Sequence, residues 1–91
     1  MRVMETLSHE LKLLFADAWK ALKNRATYFP NREVEIAAPL KQLWSGRRVP
    51  CTDLYSVLNY EAQQELNLQL SNTYTDEAGN VRLVFSPMGR R

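Results

Sequence analysis

Side chains able to do acid–base, nucleophilic or metal chemistry are few: one histidine, His9, one cysteine, Cys51, and ten carboxylates. A metal site needs several His, Cys or carboxylate ligands at set spacings, and His9 and Cys51 stand about forty positions apart with no cluster around either. A Cys–His nucleophile also needs the base brought to the thiol and a third group to orient it, and the spacing does neither. Glu5 and His9 share a helical face by their spacing of four, which is an ordinary solvated pair. Asp17, Asp53 and Asp76 have no partner carboxylate of assignable geometry, and Gly46, Gly79 and Gly89 are too scattered for a phosphate-cradling loop. The sequence therefore reads as a non-enzyme that needs no cofactor and no metal.

Binding chemistry is better represented. Residues 1–48 carry nine basic and five acidic side chains, and 49–91 carry three and five, so a basic face must be built mostly from the first half. The net charge of +2 does not by itself require a polyanionic partner. The basic turn Gly46-Arg47-Arg48-Val49-Pro50 supplies two candidate DNA contacts, Arg47 and Arg48, which read equally well as solvated turn residues. Thr52, Ser56, Asn59 and Gln63, on the helix expected to follow, can meet base edges or phosphates, and Arg82 adds a later cation. That helix also carries Asp53, Glu61 and Glu65 and no Lys or Arg, which is unfavourable against a polyanion. Tyr28-Phe29, between Arg25 and Arg32, is the candidate protein-binding edge, with plugs for the core as the alternative.

The elements that must position these groups follow from periodicity. Met4, Leu7, Leu11, Leu14, Ala18 and Ala21 recur at helical spacing with no Pro or Gly between them, predicting a first helix from Met4 to Asn24. Its apolar stripe either covers the domain's own core or protrudes and dimerises. Pro30 and Asn31 reverse the chain, and Val34-Glu35-Ile36 alternates briefly as a strand. Pro39 to Trp44 reads as a short second helix ended by Gly46, with Leu40 and Trp44 on one face. Leu54, Leu58, Ala62, Leu66 and Leu70 predict a single third helix, Asp53–Leu70, capped by Thr52 and with a kink allowed at Asn59. Asn72–Thr75 and Val81–Phe85 flank Asp76-Glu77-Ala78-Gly79-Asn80 as a β-hairpin.

With 91 residues, 45% of them hydrophobic and 24% charged, the chain makes one domain, residues 1–86, followed by a short basic tail, residues 87–91. A lone cysteine, the absence of a signal-like N-terminus and the absence of about 18 consecutive apolar residues point to a cytoplasmic protein outside the membrane.

The order helix, short strand, short helix, basic turn, helix, hairpin resembles that of winged helix-turn-helix domains over about residues 4–86. The resemblance is one of topology, and the turn Ser45–Cys51 is longer than the usual connection of about three or four residues. It implies an α+β, mostly helical fold of three helices with a C-terminal β-hairpin as the wing. It also implies a transcriptional regulator that binds double-stranded DNA through Arg47, Arg48, Thr52, Ser56, Asn59, Gln63 and Arg82, with the first helix as the candidate homodimer contact. The competing expectation is a protein–protein interaction module that inhibits or adapts a partner protein through Tyr28-Phe29 and the acidic third helix.

Overall fold

Val34 and Ile36, then Leu83 and Phe85, are apolar at alternate positions, so each pair lies on one face of its strand, and that face carries the core. The computed structural model describes residues 8–89. In chain order the elements are α1 (His9–Tyr28), β1 (Val34–Ala37), β2 (Leu40–Gln42), β3 (Arg48–Pro50), a 3-10 turn (Thr52–Leu54), α2 (Tyr55–Glu65), β4 (Leu68–Thr75) and β5 (Val81–Pro87). The strands form two antiparallel sheets, a three-stranded one in the order β1-β5-β4 and a separate two-stranded ribbon, β2-β3.

Helix α1 begins at Ser8, whose Oγ accepts the Leu11 N–H at 3.3 Å, with Glu10 in the first turn to complement the helix dipole. It runs four residues past the predicted Asn24, because no breaker intervenes before Pro30, which disfavours helix at Phe29. Met4 and Leu7, the predicted first turn, lie outside the described residues. Phe15, Ala18 and Leu22 are buried, so this part of the stripe is covered by the domain's own core. From α2 come Val57, Leu58 and Ala62, and both helices pack on the face formed by Val34, Ile36, Leu83 and Phe85.

Two predicted helices are corrected. Pro39–Trp44 is not helical, because a helix of six residues would make almost no backbone hydrogen bonds of its own. The segment instead enters a hairpin in which Leu40, Lys41 and Gln42 pair with Pro50, Val49 and Arg48. Asp53–Leu70 is not one helix either. Thr52–Leu54 is a 3-10 turn, and α2 ends at Glu65, after which Asn67 takes a left-handed conformation, φ 56°, and starts β4. Leu66 and Leu70 continue the four-residue spacing, yet Leu68 and Leu70 belong to a strand in which Leu68 is buried. Thr52 caps no helix with its side chain, and the residue preceding α2, Leu54, makes no such bond.

Among the described residues the fold is therefore α+β but neither three-helical nor mostly helical, with about 41% of those residues in helix and 30% in strand. Pro87, assigned to the tail, completes β5, and the Met88 N–H donates to the Asn67 carbonyl at 2.9 Å. Arg90 and Arg91 lie outside the described residues.

Leu58 is fully buried while Leu13 on α1 is 56% exposed. Leu58→Ala is expected to cost about 2–5 kcal/mol in urea unfolding through lost burial and a cavity, and Leu13→Ala to stay within about 0.5 kcal/mol.

Candidate functional site

Two loops of the chain share one hydrogen-bonding frame. The Leu43 N–H donates to the Arg47 carbonyl at 2.7 Å and the Gly46 N–H to the Leu43 carbonyl at 2.8 Å, while Asp76 to Asn80 and Gly79 to Asp76 repeat the pattern at 2.8 and 3.0 Å. Gly46 and Gly79 adopt φ of 91° and 88°, so both are three-residue hairpin loops closed by a left-handed glycine. The second was legible in the sequence. The first was missed, although Leu-Trp-Ser-Gly-Arg places its glycine at the same fourth position as Asp-Glu-Ala-Gly-Asn.

The β2-β3 hairpin is joined to the body at its base, where the Ala38 N–H donates to the Val81 carbonyl at 2.9 Å and the Cys51 N–H to the Pro39 carbonyl at 2.8 Å. Cys51 is itself buried at this base, which suits a small thiol held in apolar surroundings. Beyond the base, Leu40, Leu43 and Trp44 are exposed, Trp44 fully so, with 105% relative exposure. Lys41, Arg47 and Arg48 lie on the same hairpin, and no carboxylate occurs from residue 38 to residue 52. Thus Arg47 and Arg48 belong to a separate two-stranded ribbon whose loop carries Trp44, a residue expected from the sequence to end a helix.

The other candidate residues are placed differently. Thr52 and Ser56 are exposed. Asn59 Oδ1 accepts the Leu70 N–H at 2.8 Å and so ties α2 to β4 where the strand is bulged between Leu70 and Asn72, while the Gln63 amide, one turn on in α2, donates to the same oxygen at 3.3 Å. Arg82 is ion-paired at 3.7 Å with Glu35 and at 3.5 Å with Asp76. Asp76 also accepts the Ala78 and Asn80 N–H groups through its other oxygen. A guanidinium held between two carboxylates offers little to a phosphate. Arg48 faces it across a cleft of about 290 Å³ between the two hairpins.

Tyr28 and Phe29 are 78% and 52% exposed at the C-terminal end of α1. Phe29 lines a cleft with Leu66 and Leu68, at the end of β5 opposite the hairpin, since Leu68 pairs with Pro87 whereas Val81 meets Ala38. His9 is exposed at the start of α1, and Glu5 lies outside the described residues. Among the described residues, no three His, Cys, Asp or Glu side chains converge as a metal site would require. None of the described helices is long and apolar enough to cross a membrane.

On the open face of the sheet the Tyr74 hydroxyl donates to Glu35 at 2.8 Å, and this hydrogen bond, then burial and the Glu35 charge, raises the phenol above its ordinary value of 10.0. Tyr55 is also raised, first by burial and then by Cys51. No family model matches the chain, and comparison with curated proteins and with solved structures gave no match.

Two outcomes are expected. Asn59→Ala leaves the Leu70 N–H without its acceptor and should lower stability by about 1–3 kcal/mol in denaturant titration, with the hairpin chemistry untouched. A phenol whose folded value is raised contributes stability that is fully present below pH 10.0 and lost as pH rises through the folded value. Unfolding midpoints measured upward from that pH should fall, and the fall should be shallower in Tyr74→Phe.

Proposed function

We propose that the chain is a cytoplasmic, non-catalytic DNA-binding module, and that its contact element is the β2-β3 hairpin. The observation that carries this reading is the concentration of Lys41, Arg47 and Arg48, with no carboxylate from residue 38 to residue 52, on a two-stranded ribbon separate from the three-stranded sheet. A two-stranded ribbon is narrow enough to enter a DNA groove, and cations on it gain affinity by releasing the counterions condensed on phosphates. The hairpin takes the place of the helix expected to read bases. Arg82, Asn59 and Gln63 hold the scaffold in this reading, while Thr52 and Ser56 remain free to meet the backbone. Regulation of transcription follows as occupancy of a site rather than as chemistry.

A second reading, a module that inhibits or adapts a partner protein, is favoured by one observation: Tyr28 and Phe29 are exposed beside Arg25 and Arg32 at the far end of the sheet. Aromatic and arginine side chains of this kind are enriched at the centres of protein interfaces.

Fluorescence anisotropy with a labelled mixed-sequence duplex, between about 50 and 200 mM salt, separates the two. The triple variant Lys41→Gln, Arg47→Gln, Arg48→Gln should weaken binding and flatten the dependence of log K on log salt by about 0.9 for each phosphate contact removed. The variant Tyr28→Ser, Phe29→Ser should bind DNA as the wild type does. Duplex affinity unchanged by the triple variant would remove the hairpin as the contact. A stoichiometric protein retained by wild type and lost with Tyr28→Ser, Phe29→Ser, with no nucleic acid recovered, would favour the second reading.

A further inference from the structure

We infer that Trp44 is a base-stacking residue, and that the hairpin prefers DNA with unpaired, unstacked bases over an intact duplex. The inference rests on the DNA reading above and names the class of DNA that reading leaves open.

The first support is presentation. Trp44 is the first residue of a three-residue loop whose backbone is pinned by the Leu43–Arg47 and Gly46–Leu43 hydrogen bonds at 2.7 and 2.8 Å. Trp44 is fully exposed, so its ring is open to solvent. A large apolar ring held out from a short, closed loop gains nothing from the folded chain, and the hydrophobic cost of leaving it in water is removed only by an outside partner.

Charge identifies that partner's chemistry. Arg47 and Arg48 follow the ring by three and four positions, Lys41 precedes it by three, and the ribbon carries no anionic side chain. An aromatic surface bordered by cations complements a base bordered by phosphates. The other exposed rings have carboxylates in their setting: Tyr74 donates to Glu35, Tyr60 adjoins Glu61 on α2, and Phe29, although it shares a cleft with Arg25 and Arg32, has Glu33, Glu35 and Glu65 lining its clefts as well.

Geometry then selects among DNA forms. Inside a duplex both faces of every base are already stacked, and a wedge must unstack a step at a cost of about a few kcal/mol. An unpaired base has a free face, so the ring gains its stacking without that cost. The cations serve either form alike, and only the tryptophan discriminates.

The test compares a labelled single-stranded oligothymidine of about twelve nucleotides with a blunt duplex of the same strand length, at about 50 mM salt. Wild type should bind the single strand more tightly. Trp44→Ala should lose about tenfold on the single strand and little on the duplex, and Trp44→Phe should recover most of the loss. Trp44 is fully exposed, so these substitutions leave the core intact. The only other tryptophan, Trp19, is half-buried and stacked on Phe15 at a centroid separation of 6.1 Å. Quenching of tryptophan emission by the single strand, absent in Trp44→Phe, would therefore report the Trp44 ring. Equal single-strand affinity of wild type and Trp44→Ala overturns the stacking role and leaves hairpin binding through Arg47 and Arg48 standing. Absence of binding to either DNA at low salt overturns both, and assigns the ring to a protein partner.

Discussion

Strand β5 is the constraint on which the rest of the structure depends. It lies between β1 and β4, and its Leu83 and Phe85 are fully buried beneath the two helices, so its position fixes both neighbours and the surface on which α1 and α2 pack. Burying these two side chains requires that both flanking strands keep their register, because a slip of one residue would turn Leu83 and Phe85 toward solvent. The same strand begins at Val81, whose carbonyl receives the Ala38 N–H where β1 gives way to the hairpin. Core burial and placement of the hairpin are thus linked through one backbone segment.

The polar side chains divide according to whether the scaffold uses them. Asn59, Asp76, Glu35 and Arg82 are engaged in bonds that join α2 to β4, close the β4-β5 loop and lace the open face of the sheet. Each satisfies a donor or charge that would otherwise be left poorly paired. Ser71, the residue at the bulge of β4, is used similarly, with its hydroxyl 2.7 Å from that of Ser86. Of the residues singled out from the sequence for binding, Arg47 and Arg48 on the β2-β3 hairpin, Thr52 and Ser56, and the exposed Tyr28-Phe29 edge are not used in this way. A polar residue at a suggestive sequence position is therefore a weak guide to binding until its internal partners are known.

Helix α1, strand β1 and the β4-β5 hairpin were legible in the sequence because each rests on local chemistry: a regular apolar stripe, an alternation after a proline, and a loop rich in turn residues. The hairpin at residues 40–50 was not, because Leu40 and Trp44 imitate a helical spacing and the apolar Leu43-Trp44 stands where turn residues would be expected. Only Gly46, the third residue of the loop, signals the turn, and that signal needs the partner strand to become decisive. The end of α2 was hidden by coincidence. Leu66 and Leu70 fit the helical spacing of Leu54, Leu58 and Ala62, whereas Leu68 and Leu70 fit a strand, and the left-handed Asn67 decides between them. The candidate site was half legible: Arg47 and Arg48 could be found from charge, but the exposure of Trp44 follows from the hairpin and was invisible without it.

The two hairpin loops, built on one backbone frame, carry opposite cargo. At Glu77 and Ala78 the frame holds an acidic, self-bonded turn beside the sheet, and at Trp44 and Ser45 it holds an apolar, cationic one away from it. Because the glycine and the closing hydrogen bonds set the shape, the side chains between them are free to vary without consulting the core. Mutational drift at Trp44 and Ser45 would change the surface the loop presents while leaving the folding nearly untouched, which makes the loop a natural cassette for diversification and for grafting.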